Sequence, residues 1–193
     1  AQRAAAPPAA LANGVAGHVL DFDDTHDAML GHPSLPVLAA ALPLAEQAGA
    51  SGSDLLTAFC IGFQVECALG AAVNPEHCQR GHHPTGTLGA LGAAAAAARL
   101  LRLTAPQTTC ALALAASMAA GLRENFGTMT KSFHAGRAAQ NGVEAALLAG
   151  MGYTASASAL EGPAGYGQVL AGRSDRWKVL EGLEREWQIL VPG

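Results

Sequence analysis

Glycine stands at positions 86, 89 and 92, and six alanines follow from Ala93 to Ala98 before Arg99 ends the run. Wound as an α-helix, this stretch carries a strip with almost no side-chain bulk, against which neighbouring backbones can lie closely. It falls short of the roughly 20 apolar residues that cross a bilayer, so it is read as a packing helix of a globular domain.

The neighbouring segments repeat the helical signal. Leu55, Phe59, Phe63 and Cys67 recur at fourfold spacing behind Ser53, which is placed to cap a helix at Asp54. A helix from Thr104, with Pro106 in its first turn, runs through Cys110, Leu112, Leu114 and Met118 to Gly121. It is apolar nearly all round and is expected at the centre of the body. Further helices are predicted at Pro8 to Val19, Leu35 to Gln47, His134 to Gly150 and Ser174 to Trp187. Loops are predicted at Asp21 to Ser34, Asn74 to Pro84, Arg123 to Ser132 and Glu161 to Gly167. No segment alternates with the period of a strand, so the expected class is all-α.

The 193 residues are 50% hydrophobic and 13% charged, enough for a full core in a single domain, 1–193. A net charge of −4 gives no footprint for a nucleic-acid backbone. The apolar stretches Leu88 to Ala98 and Ala111 to Leu122 are too short for a membrane span. Cys60, Cys67, Cys78 and Cys110 form no CxxC pair and are expected as buried free thiols in a reducing compartment. The opening Ala1-Gln2-Arg3-Ala4 has neither Met nor a secretory h-region, and the closing Val191-Pro192-Gly193 looks like an exit toward a further domain; a piece of a longer chain is expected.

Ionisable residues are scarce and gather in three loops. His18, Asp21, Asp23, Asp24, Thr25, His26, Asp27 and His32 put four carboxylates within seven residues, which repel unless cations, helix ends or hydrogen bonds compensate. They could cap the next helix or form a site; no EF-hand or His-x-x-x-His spacing argues for a metal. His82 and His83, with Pro84 and Thr85, stand at the start of the glycine-rich helix, where imidazoles sit beside helical N–H groups. Lys131, one of two lysines, is followed by His134 and Arg137; ammonium, guanidinium and helix N–H groups together suit a carboxylate or phosphate. No GxSxG elbow, P-loop or dinucleotide fingerprint is present, which argues against nucleotide hydrolysis and cofactor-dependent redox chemistry.

Taken in order, Ala12-Asn13-Gly14 to His18, Leu20-Asp21-Phe22-Asp23-Asp24-Thr25, His32-Pro33-Ser34, His83-Pro84-Thr85-Gly86-Thr87 and Lys131-Ser132-Phe133-His134-Ala135-Gly136-Arg137-Ala138-Ala139 resemble the MmgE/PrpD family along essentially the whole chain. That family includes 2-methylcitrate dehydratase, cis-aconitate decarboxylase and iminodisuccinate epimerase. The resemblance implies a large helical domain, here without its α/β lid, and a homodimer joined through the helical domain; the bias to Ala, Gly and Arg over Lys adds the expectation of a cytoplasmic protein. It places Asp21, Thr25, His32, His83 and Lys131 at catalytic or substrate-binding positions, with a further His and Tyr of the site outside this chain.

The expected function is a cofactor-free, metal-independent lyase on a small polycarboxylate, foremost a hydro-lyase of the 2-methylcitrate dehydratase type. Decarboxylation and epimerisation are the alternatives within the family. In this reading Lys131, with Arg137 and His134, holds carboxylates, His32 and His83 move protons, and Asp21 orients or balances a histidine. A helical dimerisation module without catalysis, and a metal hydrolase using Asp21 to His32, are the rivals from other classes.

Overall fold

In the computed structural model, residues 4–173 and 175–191 are described, and among them helices dominate with no extended strand. The elements are α1 (Ala6–His18), α2 (Ser34–Ala48), α3 (Gly52–Val73), the short α4 (Glu76–Gln79), α5 (Pro84–Leu100), α6 (Ala105–Met118) and α7 (Met129–Gly150), followed by short 3-10 and π turns.

α5 is the hub. All of its residues except Arg99 are buried, and α2, α3, α6 and α7 pack around it. The small strip works as the sequence implied: at Gly142 of α7 an added Cβ would lie 2.6 Å from the backbone nitrogen of Ala94 on α5. α1 crosses α7 glycine on glycine, where a Cβ on Gly14 would stand 2.5 Å from Gly136 Cα. Main chains here meet without intervening side chains, so burial comes from alanine, valine and leucine at close spacing.

Several expectations are corrected. α6 is not central: only Ala111, Ala113 and Ala115 are buried, because α5, with less bulk, takes the middle position. The cap of α3 is Ser51 rather than Ser53; its hydroxyl accepts from Asp54 N–H and the Asp54 carboxylate accepts from Ser51 N–H, a capping box. α7 begins at Met129, five residues before His134, because the Thr128 hydroxyl caps the Thr130 N–H. No α-helix forms over 175–187, and Ser174 lies outside the described residues. That segment holds a 3-10 turn at Trp177–Leu180 and is fixed to α3 by Gln64, whose Nε2 donates to Leu183 O and Glu186 O, each at 2.8 Å. The predicted loop 74–84 contains α4.

All four cysteines are free, but only Cys67 is fully buried. α3 is long and apolar enough to cross a membrane by length and composition alone; it also packs against α5 and buries Gln64 and Glu66, as a core helix does.

Candidate active site

Three chain segments converge at one end of the bundle. His83 is the N-cap of α5, and its N–H donates to Gly121 O at 3.0 Å, which ties the start of α5 to the segment leading into α7. Lys131 lies in the first turn of α7, where Thr128 O accepts its N–H. His32 ends the 19–33 loop, and its N–H donates to Thr85 Oγ1 on α5 at 3.0 Å. The loop itself is folded by a bridge between His26 and Gly31, and Asp21 takes a left-handed backbone, φ 58°.

The side chains form a continuous polar net. Lys131 Nζ donates to Asp21 Oδ1 at 2.5 Å, and the same oxygen is 3.5 Å from His32 Nε2 and 3.9 Å from His18 Nδ1. Asp23 Oδ2 lies 2.8 Å from His18 Nδ1 and 3.5 Å from His32 Nδ1. His83 Nδ1 meets His134 Nδ1 at 3.1 Å. The ring of Phe126 stands edge-on to His83 at 4.8 Å and beneath the Lys131 ammonium at 5.4 Å. Three of the four carboxylates of the loop are thus compensated in different ways: Asp21 by Lys131, Asp23 by His18, and Asp24 by capping α2, where it accepts from the Ser34 N–H and hydroxyl.

The electrostatics follow from these contacts. The hydrogen bond from Lys131 holds the Asp21 carboxyl below the usual range. Burial pushes Asp23 up, but the His18 hydrogen bond and charge outweigh it, and the net shift is downward. His83 is pushed down to about 3 by burial and then by the neighbouring His134, so it is a neutral imidazole at physiological pH. His134 is lowered as well, by burial first and His18 second.

A cavity of about 280 Å³ opens here, lined among others by Thr25, His32, His83, Phe126 and Lys131, a size suited to a small metabolite. A larger cavity of about 580 Å³ elsewhere, beside Ser117, Ser156, Ser158 and Tyr166, has no carboxylate, lysine, arginine or histidine in its wall and offers no comparable chemistry.

Of the residues expected at the site, Asp21, Thr25, His32, His83 and Lys131 come together. Arg137 does not: it is exposed and donates to Gln140 Oε1 along its own helix. His134 is also absent from the cavity wall, being buried behind His83. The sequence assigned no role to His18 or Asp23, although both stood in the acidic cluster, and it did not single out Phe126. Ligand atoms of His18, Asp21, Asp23 and His32 lie within 4.8 Å of one another, a donor set that fits a divalent ion. The protein's own cation, Lys131, already stands on one of those carboxylates.

A family profile described as the MmgE/PrpD N-terminal domain matches residues 1–177. The cis-aconitate decarboxylase of Homo sapiens is 42% identical over 180 residues, which cover 88% of this chain and 37% of that protein. The mouse enzyme of the same name is 41% identical over 87% of the chain and 36% of its own length. The cis-aconitate decarboxylase of Aspergillus terreus is 34% identical over 79% of the chain and 33% of its own length. The chain therefore spans well under half the length of these relatives. With a profile that matches residues 1–177 and relatives up to 42% identical over most of its length, this chain belongs to the MmgE/PrpD family.

Proposed function

We propose that the protein bearing this helical domain is a lyase acting on a small polycarboxylate, and that decarboxylation of a cis-aconitate-like tricarboxylate is favoured over the dehydration expected from sequence. The observation that carries the reading is the placement of Lys131, one of two lysines in the chain, in one small cavity with His32 and His83. The names of the relatives, all cis-aconitate decarboxylases, support the choice of branch.

In such a reaction a C–C bond to one carboxylate breaks, and its electron pair forms a new double bond. The former π pair takes a proton at the far carbon, and carbon dioxide leaves. Negative charge develops beside a remaining carboxylate, where the Lys131 ammonium can stabilise it. Asp21 occupies that ammonium in the structure, so a substrate carboxylate takes its place and Asp21 is left to His32, 3.5 Å away. His32 delivers the proton; Thr25 and Phe126 wall the cavity. Dehydration is the second reading, since it needs an acid and a base together and His32 and His83 supply two imidazoles. A homodimer through this domain remains part of the proposal, checked by light scattering of the intact protein.

The test is proton NMR in heavy water with chelator present, offering cis-aconitate, 2-methylcitrate, citrate and iminodisuccinate in parallel. Consumption of cis-aconitate with one deuterium placed in the product supports the reading. Water loss from 2-methylcitrate with cis-aconitate untouched would transfer it to dehydration, and activity that requires an added divalent ion would overturn the metal-free chemistry.

A further inference from the structure

We propose that His134 is a positioning residue for His83: it accepts the His83 Nδ1 proton and so fixes the ring with a bare Nε2 turned to the cavity. The inference deepens the proposed function, since it gives a role to a residue that the cavity wall does not include.

The geometry carries it. The two Nδ1 atoms are 3.1 Å apart and both rings are buried, so one of the two nitrogens must bear a proton and the other must receive it. Two neutral imidazoles in this arrangement have one shared Nδ1 proton, and the accepting ring carries its own proton on Nε2. The backbone holds the pair in register. A Cβ at Gly121 would stand 3.3 Å from His83 Cβ and 3.4 Å from His134 Nδ1, and Gly121 O accepts the His83 N–H. With Nδ1 engaged, Nε2 is the His83 nitrogen left for the cavity that this residue lines.

The direction of the shared bond follows from the groups that face His83. Lys131 and His134 come from α7, His18 from α1 with its ring centroid 6.1 Å away, His32 from the 19–33 loop, and Phe126 from the segment before α7. Asp21 and Asp23 are engaged with Lys131, His18 and His32. Lys131 shares the cavity with His83, and a lone pair rather than an N–H facing an ammonium is the favourable arrangement. That leaves the proton on Nδ1, donated to His134. Burial and these neighbours also keep His83 neutral. A bare Nε2 accepts a hydrogen bond from a substrate hydroxyl or protonated carboxyl and so orients the substrate in the cavity, while the pair of the breaking C–C bond forms the new double bond, the far carbon takes the His32 proton and carbon dioxide leaves.

The test is long-range proton–nitrogen NMR of the histidine rings in the full-length protein without substrate. The expected result is a non-protonated Nε2 and a protonated Nδ1 on His83, retained in His134→Asn, whose amide keeps a polar group at the Nδ1 position, and lost in His134→Leu. With a reacting polycarboxylate, His134→Leu is expected to lower kcat by on the order of a hundredfold with KM nearly unchanged, and His134→Asn to restore most of it. A protonated His83 Nε2 in the unsubstituted protein overturns the proposal, and so does a His83 tautomer unchanged in His134→Leu. If the spectra hold while no polycarboxylate reacts, the proposed function falls and the tautomer assignment stands.

Discussion

Replacing Glu66 by glutamine is expected to stabilise the protein by an amount that grows with pH. Glu66 is fully buried on α3, and neither carboxyl oxygen has a hydrogen-bond partner. It lies against the small strip of α5: a Cβ at Gly92 would be 2.8 Å from Glu66 Oε2. Burial, with a smaller push from Asp24, raises its pKa well above the usual 4.5, so the folded protein holds it neutral. The unfolded chain ionises it above about pH 4.5. Between those two values the folded state binds one proton more than the unfolded state, so stability falls as pH rises, by about 1.4 kcal/mol per pH unit. The fall continues until the folded-state carboxyl itself ionises, so its total measures how far burial has raised the group. Glutamine has the same shape and no proton to lose, so the difference between Glu66→Gln and the parent isolates this one titration from all the others. Urea unfolding of both proteins at pH 5, 6 and 7 measures it. Parallel stability curves would refute the reasoning, because they would mean that Glu66 ionises alike in both states.

On the acid side the sign reverses. His77 and His83 are each depressed to about 3, chiefly by burial, so stability present above pH 6.5 is expected to drain away as pH falls toward 3, visible as a declining urea midpoint. Lys131→Met is expected to lower kcat/KM on the relevant polycarboxylate by about a hundredfold or more while the urea midpoint hardly moves; unchanged turnover would remove Lys131 from the site. Gly14→Ala, which places a Cβ 2.5 Å from Gly136 Cα, is expected to cost about 1–3 kcal/mol by forcing α1 off α7, and unaltered unfolding would show that the crossing yields freely.

The helices were legible because apolar residues recur at helical spacing and Gly, Pro and polar residues punctuate them. The three ionisable clusters were legible because a charge-poor chain has few other reasons to gather them, and the family resemblance, not composition, picked Asp21, Thr25, His32, His83 and Lys131 out of them. What sequence could not supply was rotation and depth. Arg137 follows Lys131 by six residues, about 120° round the helix, and so faces solvent rather than the cavity. His134 shares a side of α7 with Lys131 but sits behind His83, a relation set by the crossing of α7 with α5. α6 reads as more apolar than a surface helix, and only the competition with α5 for the central position shows why it lies outside. The residues from 175 to 187 have helical composition but spend their carbonyls on Gln64, a partner more than a hundred positions away.

The glycine-on-backbone contacts between α1, α7 and α5 bear on how such a site can diversify. His18 rides on the end of α1, His83 on the start of α5, and Lys131 and His134 on the start of α7. Where these helices meet, rigid main-chain atoms set the spacing, and no rotamer can take up a misfit. A new methyl group at the crossing would shift a whole reactive group, so the interior acts as a fixed gauge block. Leu20, Phe22 and Met129, at 69%, 89% and 90% exposure, stand on the segments that carry Asp21 and Lys131. Exchanging those outer side chains leaves the spacing of His18, His83, Lys131 and His134 as the backbone set it.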